Sequence, residues 1–200
     1  MTTARRYDDP CGIARALDVI GDRWALLVVR ELIFGPKRFL QLRRGLHGVS
    51  PNVLSQRLRD LEDAGLVRRD VLEPPASVAV YELTARGRAL EPVLLELGRW
   101  GSQEPVTTAR ELSVSALLVA LKTVFDPAAA VDAVYGLRVD GQWFRLAVTG
   151  QSIDITAGRP PHPTVTFDTG AATAQREGRL AVHGDQDAAE RFPRMFPVPS

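Results

Sequence analysis

The chain has 200 residues, 45% hydrophobic and 24% charged, with a formal net charge of +1 at pH 7, a balance typical of a soluble globular protein and not of a disordered or fibrous one. Its single cysteine excludes a disulfide scaffold within one chain, and no apolar run reaches the roughly 18 residues that a membrane span requires. The first ten residues lack the apolar core of a secretory signal, so we expect a cytoplasmic protein that has no membrane partner.

Apolar residues at helical spacing predict three helices before residue 50. The first covers residues 13–20, and the second, residues 24–34, is apolar nearly all round, as a buried central helix should be. Gly35 and Pro36 end the second helix, and residues 39–46 form the third.

A fourth helix has a well-defined start. The Ser50 hydroxyl can cap free amide groups, and the fixed φ of Pro51 suits the first helical position. Leu54, Leu58 and Leu61 then form one narrow apolar stripe. We expect this stripe to be buried and the opposite face of the helix to be exposed.

The face opposite the leucine stripe carries Asn52, Gln56 and Arg59, with Ser55 beside them. Asn and Gln match the donor and acceptor pair of adenine in the major groove, Arg matches guanine, and a hydroxyl at a helix start can hold phosphate. This set of residues predicts contact with double-stranded DNA.

Basic residues are concentrated around this helix, since residues 35–70 contain eight Lys or Arg and four Asp or Glu. A solvated helix surface would explain such a run, and so would contact with DNA phosphates. The predicted DNA-binding residues are Lys37, Arg38, Arg43, Arg44, Ser50, Asn52, Ser55, Gln56, Arg57, Arg59, Arg68 and Arg69.

Two strands are predicted after the fourth helix. Gly65 ends the helix, and residues 67–72 and 78–83 have strand patterns on either side of a Pro-rich turn at 73–77. A DNA-facing helix followed by such a hairpin is the arrangement of a winged helix-turn-helix.

Thr84 can cap a further helix that continues to about residue 100, with Leu90, Leu94 and Leu97 on one face. Pro92 lies within this range and predicts a kink or a break. We interpret the leucine face as a dimer interface, because in a monomer it would need another cover. Alternatively, two short helices pack against their own domain.

The sequence resembles HxlR-type winged helix-turn-helix transcriptional regulators over residues 10–101. The matching segments are, in order, CG at 11–12, DVIGDRW at 18–24, LIFGPKRF at 32–39, LRR at 42–44, LSQRLRDL at 54–61, GLV at 65–67 and YELT at 81–84. This resemblance implies a DNA-binding homodimer of the broader MarR-like class on a pseudo-palindromic operator. It also implies that the helix at 50–64 enters the major groove and that the hairpin lies on the DNA backbone.

Two interpretations of Cys11 stay open. A lone cysteine near a helix start is commonly a small buried apolar residue. Several HxlR-type regulators use a cysteine at this place as a thiol switch, so the resemblance implies a redox role. With no second cysteine in the chain, that role requires an intersubunit bridge or a small-thiol adduct.

A polar segment at 101–108 indicates a linker, so we expect domains at residues 1–104 and 105–200. The elements predicted after it are a helix at 112–125, strands at 134–139, 142–148, 152–157, 164–168 and 180–183, and helices at 169–177 and 185–191. Asp140-Gly141 marks a tight hairpin. The fold class is therefore α+β, with an N-terminal winged helix-turn-helix domain and a smaller α+β domain whose sheet is mainly antiparallel.

The second domain is similar to sterol-carrier-protein-like domains in segments 146–157, 163–168 and 177–185. This similarity implies a sheet with helices on one face around an apolar tunnel, and hence a hydrophobic small-molecule effector. The predicted lining residues are Leu121, Phe125, Trp143 and Phe167. A closed apolar core that serves for packing or dimerisation is the alternative.

No catalytic function is predicted. His47, His162 and His183 have no second histidine or cysteine at i+3 or i+4, and no nucleophile, phosphate-loop, dinucleotide or zinc motif occurs. We therefore expect no enzyme activity, no cofactor and no metal. Two functions stay open: a DNA-binding transcriptional regulator, and a lipid-like carrier or adaptor whose winged helix mediates protein contacts.

Overall fold

The structure is a computed structural model that describes residues 7–71, 78–170 and 181–197. The chain divides into two compact units, Met1–Glu91 and Pro92–Ser200. The elements of the first unit are α1 (Gly12–Ile20), α2 (Ala25–Leu32), α3 (Phe39–Gly45), α4 (Pro51–Asp63), β1 (Val67–Val71), β2 (Ala79–Leu83) and α5 (Ala85–Arg88).

The core of the first unit contains the inner faces of α2 and α4. Leu54, Leu58 and Leu61 of α4 are buried, which confirms the predicted stripe, and Val28 and Leu32 of α2 are buried as well. Because the three leucines share one face of the helix, their burial turns the opposite face of α4 outward.

The predicted pair of strands is confirmed as an antiparallel hairpin of β1 and β2, with Val67 opposite Leu83. The backbone N–H groups of Lys37 and Tyr81 each donate to the other residue's carbonyl oxygen, at 2.9 and 2.8 Å. These two bonds tie the segment before α3 to the hairpin. The predicted turn at 73–77 lies outside the described residues.

The predicted helix at 84–100 is broken, as Pro92 indicates. Thr84 caps α5, since its Oγ1 accepts a hydrogen bond from the backbone N–H of Gly87 at 3.1 Å. The helix ends at Arg88, and α6 (Glu91–Gly101) follows after a two-residue turn. Pro92 therefore lies in the first turn of α6, where its missing N–H removes no helical hydrogen bond.

The second unit is a sheet with helices. After α6 its elements are α7 (Val114–Val124), a 3-10 turn (Pro127–Ala129), β3 (Ala133–Val139), β4 (Gln142–Thr149), β5 (Ser152–Ala157), β6 (Val165–Thr169), β7 (Ala181–Gly184), α8 (Gln186–Arg191) and a second 3-10 turn (Phe192–Met195).

The strand order of this sheet is β5-β4-β3-β6-β7. Neighbouring strands are antiparallel except β3 and β6, which run parallel. Asp140 and Gly141 both have positive φ, at 48° and 75°, as the predicted tight hairpin between β3 and β4 requires. A helix is predicted at 169–177, but Thr169 ends β6 instead. Residues 171–177 of that predicted helix lie outside the described part of the chain.

One face of the sheet holds an aromatic core. The ring centroid of Phe192 lies 4.9 Å from that of Tyr135 and 4.5 Å from that of Phe167. Burial raises the pKa of the Tyr135 phenol above its usual value. The positive charge of Arg191 lowers this pKa in part, and the negative charge of Asp185 raises it. These rings pack the interior of the second unit.

Within the second unit, α6 packs closely on α7. A Cβ added to Gly98 would lie only 3.1 Å from Oγ1 of Thr123. That hydroxyl is held in place because it donates to the Val119 carbonyl at 2.8 Å. By packing, α6 thus belongs to the second unit, although its sequence lies within residues 1–104, the range predicted for the first domain.

Candidate nucleic-acid interface

The start of α4 is built as the sequence predicts. Oγ of Ser50 accepts a hydrogen bond from the backbone N–H of Val53 at 3.3 Å, and Pro51 is the first helical residue. Gly48 in the preceding turn has φ +88°, a left-handed conformation that favours glycine. The cap and the turn fix where α4 begins and therefore which of its residues point outward.

The predicted polar face of α4 is exposed. Asn52, Gln56 and Arg59 all reach solvent. Nη2 of Arg59 donates to Oε1 of Gln56 at 2.6 Å, and Nε2 of Gln56 donates to Oδ1 of Asp60 at 2.8 Å. These hydrogen bonds hold the side chains of Arg59 and Gln56 along the helix surface. The edge of a base could form hydrogen bonds with the same donor and acceptor groups.

Arg57 has a different environment from Arg59, although both were predicted to contact DNA. Its guanidinium is mostly buried and pairs with the Asp22 carboxylate and, at 3.1 Å, with Asp60. It thereby joins α4 to the segment between α1 and α2. Arg59 is exposed and is therefore the more accessible of the two arginines. The neighbouring Ser55 is half-buried.

The other predicted basic residues fall into two groups. Arg38, Arg43, Arg44 and Arg69 are exposed, and the last three form no ion pair with any residue that the structure describes. Arg68 is exposed too, but it pairs with Glu82 at 2.7 Å. Arg43, Arg44 and Arg69 can therefore reach a polyanion without first breaking an ion pair with a described residue.

Lys37 is engaged by a buried carboxylate that sequence reasoning missed. Glu31 of α2 is fully buried, and its two oxygens pair with Nη2 of Arg30 at 2.8 Å and Nζ of Lys37 at 2.7 Å. Gly45 at the end of α3 lies so close that a Cβ there would overlap the Glu31 carboxylate. The only sequence signal is the adjacent charged pair, Arg30 and Glu31, in an otherwise apolar helix.

The predicted dimer residues differ in exposure. Leu90 lies in the turn before α6, Leu94 is buried, and Leu97 is 47% exposed. Val93 and Trp100 are also exposed, the latter by 65%, and with Leu97 they recur at the spacing of one helix face. We call Val93, Leu97 and Trp100 the α6 stripe. Because Leu94 is already buried within the chain, the exposed apolar face of α6 differs from the predicted one.

Cys11 is exposed, so its interpretation as a buried apolar residue does not hold for this chain. It is the residue before α1, and its backbone N–H donates to Oδ1 of Asp9 at 2.8 Å. Nearby, Ile13 and Leu17 of α1 are exposed apolar residues one helical turn apart.

The four residues predicted to line a ligand pocket do not share one cavity. Phe167 pairs with Leu137 on the core face of the sheet, whereas Trp143 pairs with the adjacent residue, Arg138, and so lies on the opposite face. This register corrects the predicted set by removing Trp143 from it. Leu121 and Phe125 are half-buried.

Among residues 7–71, 78–170 and 181–197, no group of three or more His, Cys, Asp or Glu side chains is arranged to hold a metal ion. No helix within the same ranges has both the length and the apolar character needed to cross a membrane.

The helices and hairpin of the first unit define a winged helix-turn-helix fold. The model of the HxlR-like helix-turn-helix family matches residues 19–108. The uncharacterized HTH-type transcriptional regulator YvaP of Bacillus subtilis is 40% identical over 90 residues, which are 44% of this chain and 82% of that protein. The uncharacterized HTH-type regulator sll1512 of Synechocystis is 41% identical over 92 residues, 46% of this chain and 68% of that protein.

The chain therefore belongs to the HxlR-like helix-turn-helix family, a membership that implies DNA binding. Among solved structures, the reduced form of the transcriptional regulator YodB from B. subtilis is 34% identical, with a TM-score of 0.42; the match covers 46% of this chain and 92% of that one.

Proposed function

We propose that the protein is a transcriptional regulator that places α4 in the major groove of DNA and acts as a homodimer on a pseudo-palindromic operator. The observation that carries this proposal is the exposed face of Asn52, Gln56 and Arg59 on a capped helix. Arginines of α3 and β1 would contact phosphates, which fix the position of the protein on DNA but carry no sequence information.

The hydrogen bond between Arg59 and Gln56 suggests how the two residues act together. In the unbound protein, Oε1 of Gln56 accepts from Arg59. When Arg59 turns to the O6 and N7 atoms of a guanine, that oxygen is released and can accept from the N6 amino group of an adenine. The readout of two base positions is then coupled.

We expect Arg59→Ala to weaken operator binding by about 1–3 kcal/mol and to relax the base preference at one position of each half-site. Arg43→Ala is the control, because removing an arginine of α3 that binds only phosphate should weaken binding to all duplexes alike and reduce the salt dependence. Fluorescence anisotropy titrations would use an operator selected by the purified protein from random duplexes, together with single-base variants of it.

If the Arg59→Ala protein keeps the base preference of the parent protein, Arg59 does not contribute to base recognition. If the parent protein shows no salt-dependent binding to any duplex, the regulator function fails and the alternative of a lipid-like carrier or adaptor gains support.

The proposed homodimer rests on exposed apolar residues. The α6 stripe leaves three large side chains in solvent, and Ile13 and Leu17 add a second exposed pair on α1. Apolar surface of this kind is stabilised by burial against a partner. Two recognition helices in a symmetric dimer would address half-sites about 34–36 Å apart.

We expect Leu97→Glu to shift the protein to a monomer at micromolar concentration, because the change would bury a carboxylate in the apolar dimer contact. Val106→Glu is the matched control, since Val106 is 87% exposed and lies outside the α6 stripe. Light scattering coupled to size exclusion measures both. A parent protein that is monomeric with and without DNA would contradict the homodimer.

We also propose that the second unit adjusts DNA affinity through a hydrophobic small molecule. The contact of Gly98 with Thr123 supports this, because it links the helix that carries the α6 stripe to the interior of the second unit. Phe125 and Phe167 remain the lining candidates on the core side. Fatty acids titrated against tryptophan fluorescence and operator affinity test the proposal, which fails if operator affinity never changes.

A redox role of Cys11 is a separate proposal that its exposure supports. Because the chain has one cysteine, an oxidant would produce an intersubunit disulfide or a mixed disulfide with a small thiol. Intact mass measurement after treatment with diamide and glutathione distinguishes the two products, and an unchanged mass would dismiss the role.

A further inference from the structure

The side-chain amide of Gln56 lies between a donor and an acceptor on the surface of α4. Its Oε1 accepts from Nη2 of Arg59 at 2.6 Å, and its Nε2 donates to Oδ1 of Asp60 at 2.8 Å. Neither neighbour can exchange its role, because a guanidinium has only donors and an ionised carboxylate has only acceptors. The two hydrogen bonds therefore allow one orientation of the amide, with its oxygen toward Arg59 and its nitrogen toward Asp60.

Asp60 is itself held in place from within the fold. Its second oxygen, Oδ2, pairs with Nη1 of the mostly buried Arg57 at 3.1 Å, and Arg57 also pairs with Oδ2 of Asp22. Oδ1 of Asp22 in turn accepts a hydrogen bond from the backbone N–H of Trp24 at 3.1 Å, at the start of α2. The carboxylate beside Gln56 is thus anchored to the backbone before α2 through Arg57 and Asp22.

We propose that Asp60 is a positioning residue for base recognition, which fixes the Gln56 amide and so determines which bases that amide can read. This inference rests on the proposed placement of α4 in the major groove. Once Arg59 turns to a guanine, Oε1 of Gln56 faces the neighbouring base as an acceptor. At their exocyclic positions adenine and cytosine present an amino group there, whereas guanine and thymine present a carbonyl oxygen. The amide held by Asp60 therefore selects an amino-bearing base.

A purely structural role is the competing explanation for these ion pairs. By joining α4 to the segment before α2, Arg57 and its two carboxylates can stabilise the first unit. That role predicts a change in stability when Asp60 is replaced, and no change in base preference. Base preference is therefore the measurement that separates the two roles.

Asp60→Asn is the informative substitution, because asparagine has nearly the same shape but offers both a donor and an acceptor. Either orientation of the Gln56 amide then finds a partner. Anisotropy titrations would use the full chain, the operator that the parent selects from random duplexes, and its single-base variants. At the position where Gln56→Ala loses the base preference, the parent should favour an amino-bearing base by about tenfold, and Asp60→Asn should reduce this to about twofold or less.

Asp63→Asn is the matched control, since it removes the same charge from an exposed residue of the same helix and should keep the tenfold preference. A double-mutant cycle separates positioning from direct contact. In the Gln56→Ala background, Asp60→Asn should cause no further loss of base preference. Thermal unfolding confirms that each variant is folded.

The contact between Gln56 and Asp60 can also be measured without DNA. The side-chain amide signal of Gln56 in nitrogen-edited NMR spectra is identified by its absence in Gln56→Ala. In the parent, one amide proton should lie downfield of those of the exposed Gln142, because it is bonded to a charged acceptor. In Asp60→Asn this signal should move toward those of Gln142.

The inference is overturned if Asp60→Asn keeps the parent's base preference or leaves the Gln56 signal unchanged. It also fails if Asp63→Asn loses as much preference as Asp60→Asn, or if Gln56→Ala loses none. A loss that persists without Gln56 would mean that Asp60 contacts a base itself, which contradicts a positioning role. A parent protein without salt-dependent binding to any duplex removes the proposed function as well, a result distinct from a selected operator whose base preference ignores Asp60.

Discussion

Replacing Glu31 by alanine should lower the free energy of unfolding by about 3 kcal/mol. The substitution removes the carboxylate that pairs with Arg30 and Lys37 inside the first unit and leaves both cations without their counter-charge. Glu31→Gln should cost less, because the amide oxygen still accepts one of the two hydrogen bonds. Urea denaturation followed by circular dichroism measures both changes.

The control for Glu31 is an exposed ion pair. Glu96 pairs with Arg99 on the surface of α6, and Glu96→Ala should change stability by less than about 0.5 kcal/mol. A double-mutant cycle adds a stricter check. Gly45→Ala should destabilise the parent because its Cβ would overlap the Glu31 carboxylate, and this penalty should vanish in the Glu31→Ala background. Independent, additive effects of the two substitutions would contradict the contact.

Gly87→Ala should lower the free energy of unfolding by about 2–3 kcal/mol. A Cβ at this position would overlap the backbone carbonyl oxygen of Leu66, which cannot rotate away, so α5 would have to move. The movement would strain the bonds of Thr84, whose Oγ1 donates to the Gly65 carbonyl at 2.7 Å. Better helix propensity of alanine, worth up to about 1 kcal/mol, does not compensate for this loss.

Gly101→Ala is the matched control for Gly87, because a Cβ at Gly101 would meet no atom within 4 Å. It should leave stability unchanged or raise it slightly. Chemical denaturation compares the two variants. Equal stabilities would show that α5 is not held as closely against Leu66 as the structure indicates.

The elements of both units are predictable because local effects determine them. The cap at Ser50, the spacing of Leu54, Leu58 and Leu61, and the effect of Pro92 each act within a few residues of sequence. The turn at Asp140-Gly141 depends in the same way on the conformations that Asp and Gly tolerate. Hence the bounds of the described helices and strands agree with the sequence patterns to within a few residues, except at 169–177, where Thr169 ends a strand.

The partners of charged side chains are not predictable in this way. Arg57 and Arg59 are two residues apart and chemically identical, yet Arg57 pairs with Asp22, which the fold brings to it from 35 positions earlier in the sequence. Lys37 is likewise engaged by Glu31 because α2 positions that carboxylate beneath it. The sequence identifies a basic region, and only the tertiary contacts separate the exposed, unpaired arginines from those that hold the fold together.

The packing of α6 on α7 has a consequence for how the protein can be divided. A fragment cut at residue 104, the end of the first predicted domain, would retain α6 but lose Thr123 and the rest of the helix against which Gly98 packs. The side of α6 that packs on α7 would then be exposed to water. Together with the α6 stripe, it would give the helix two exposed sides that can associate with other molecules. Such a fragment should aggregate, so the first unit needs the second unit in order to stay in solution.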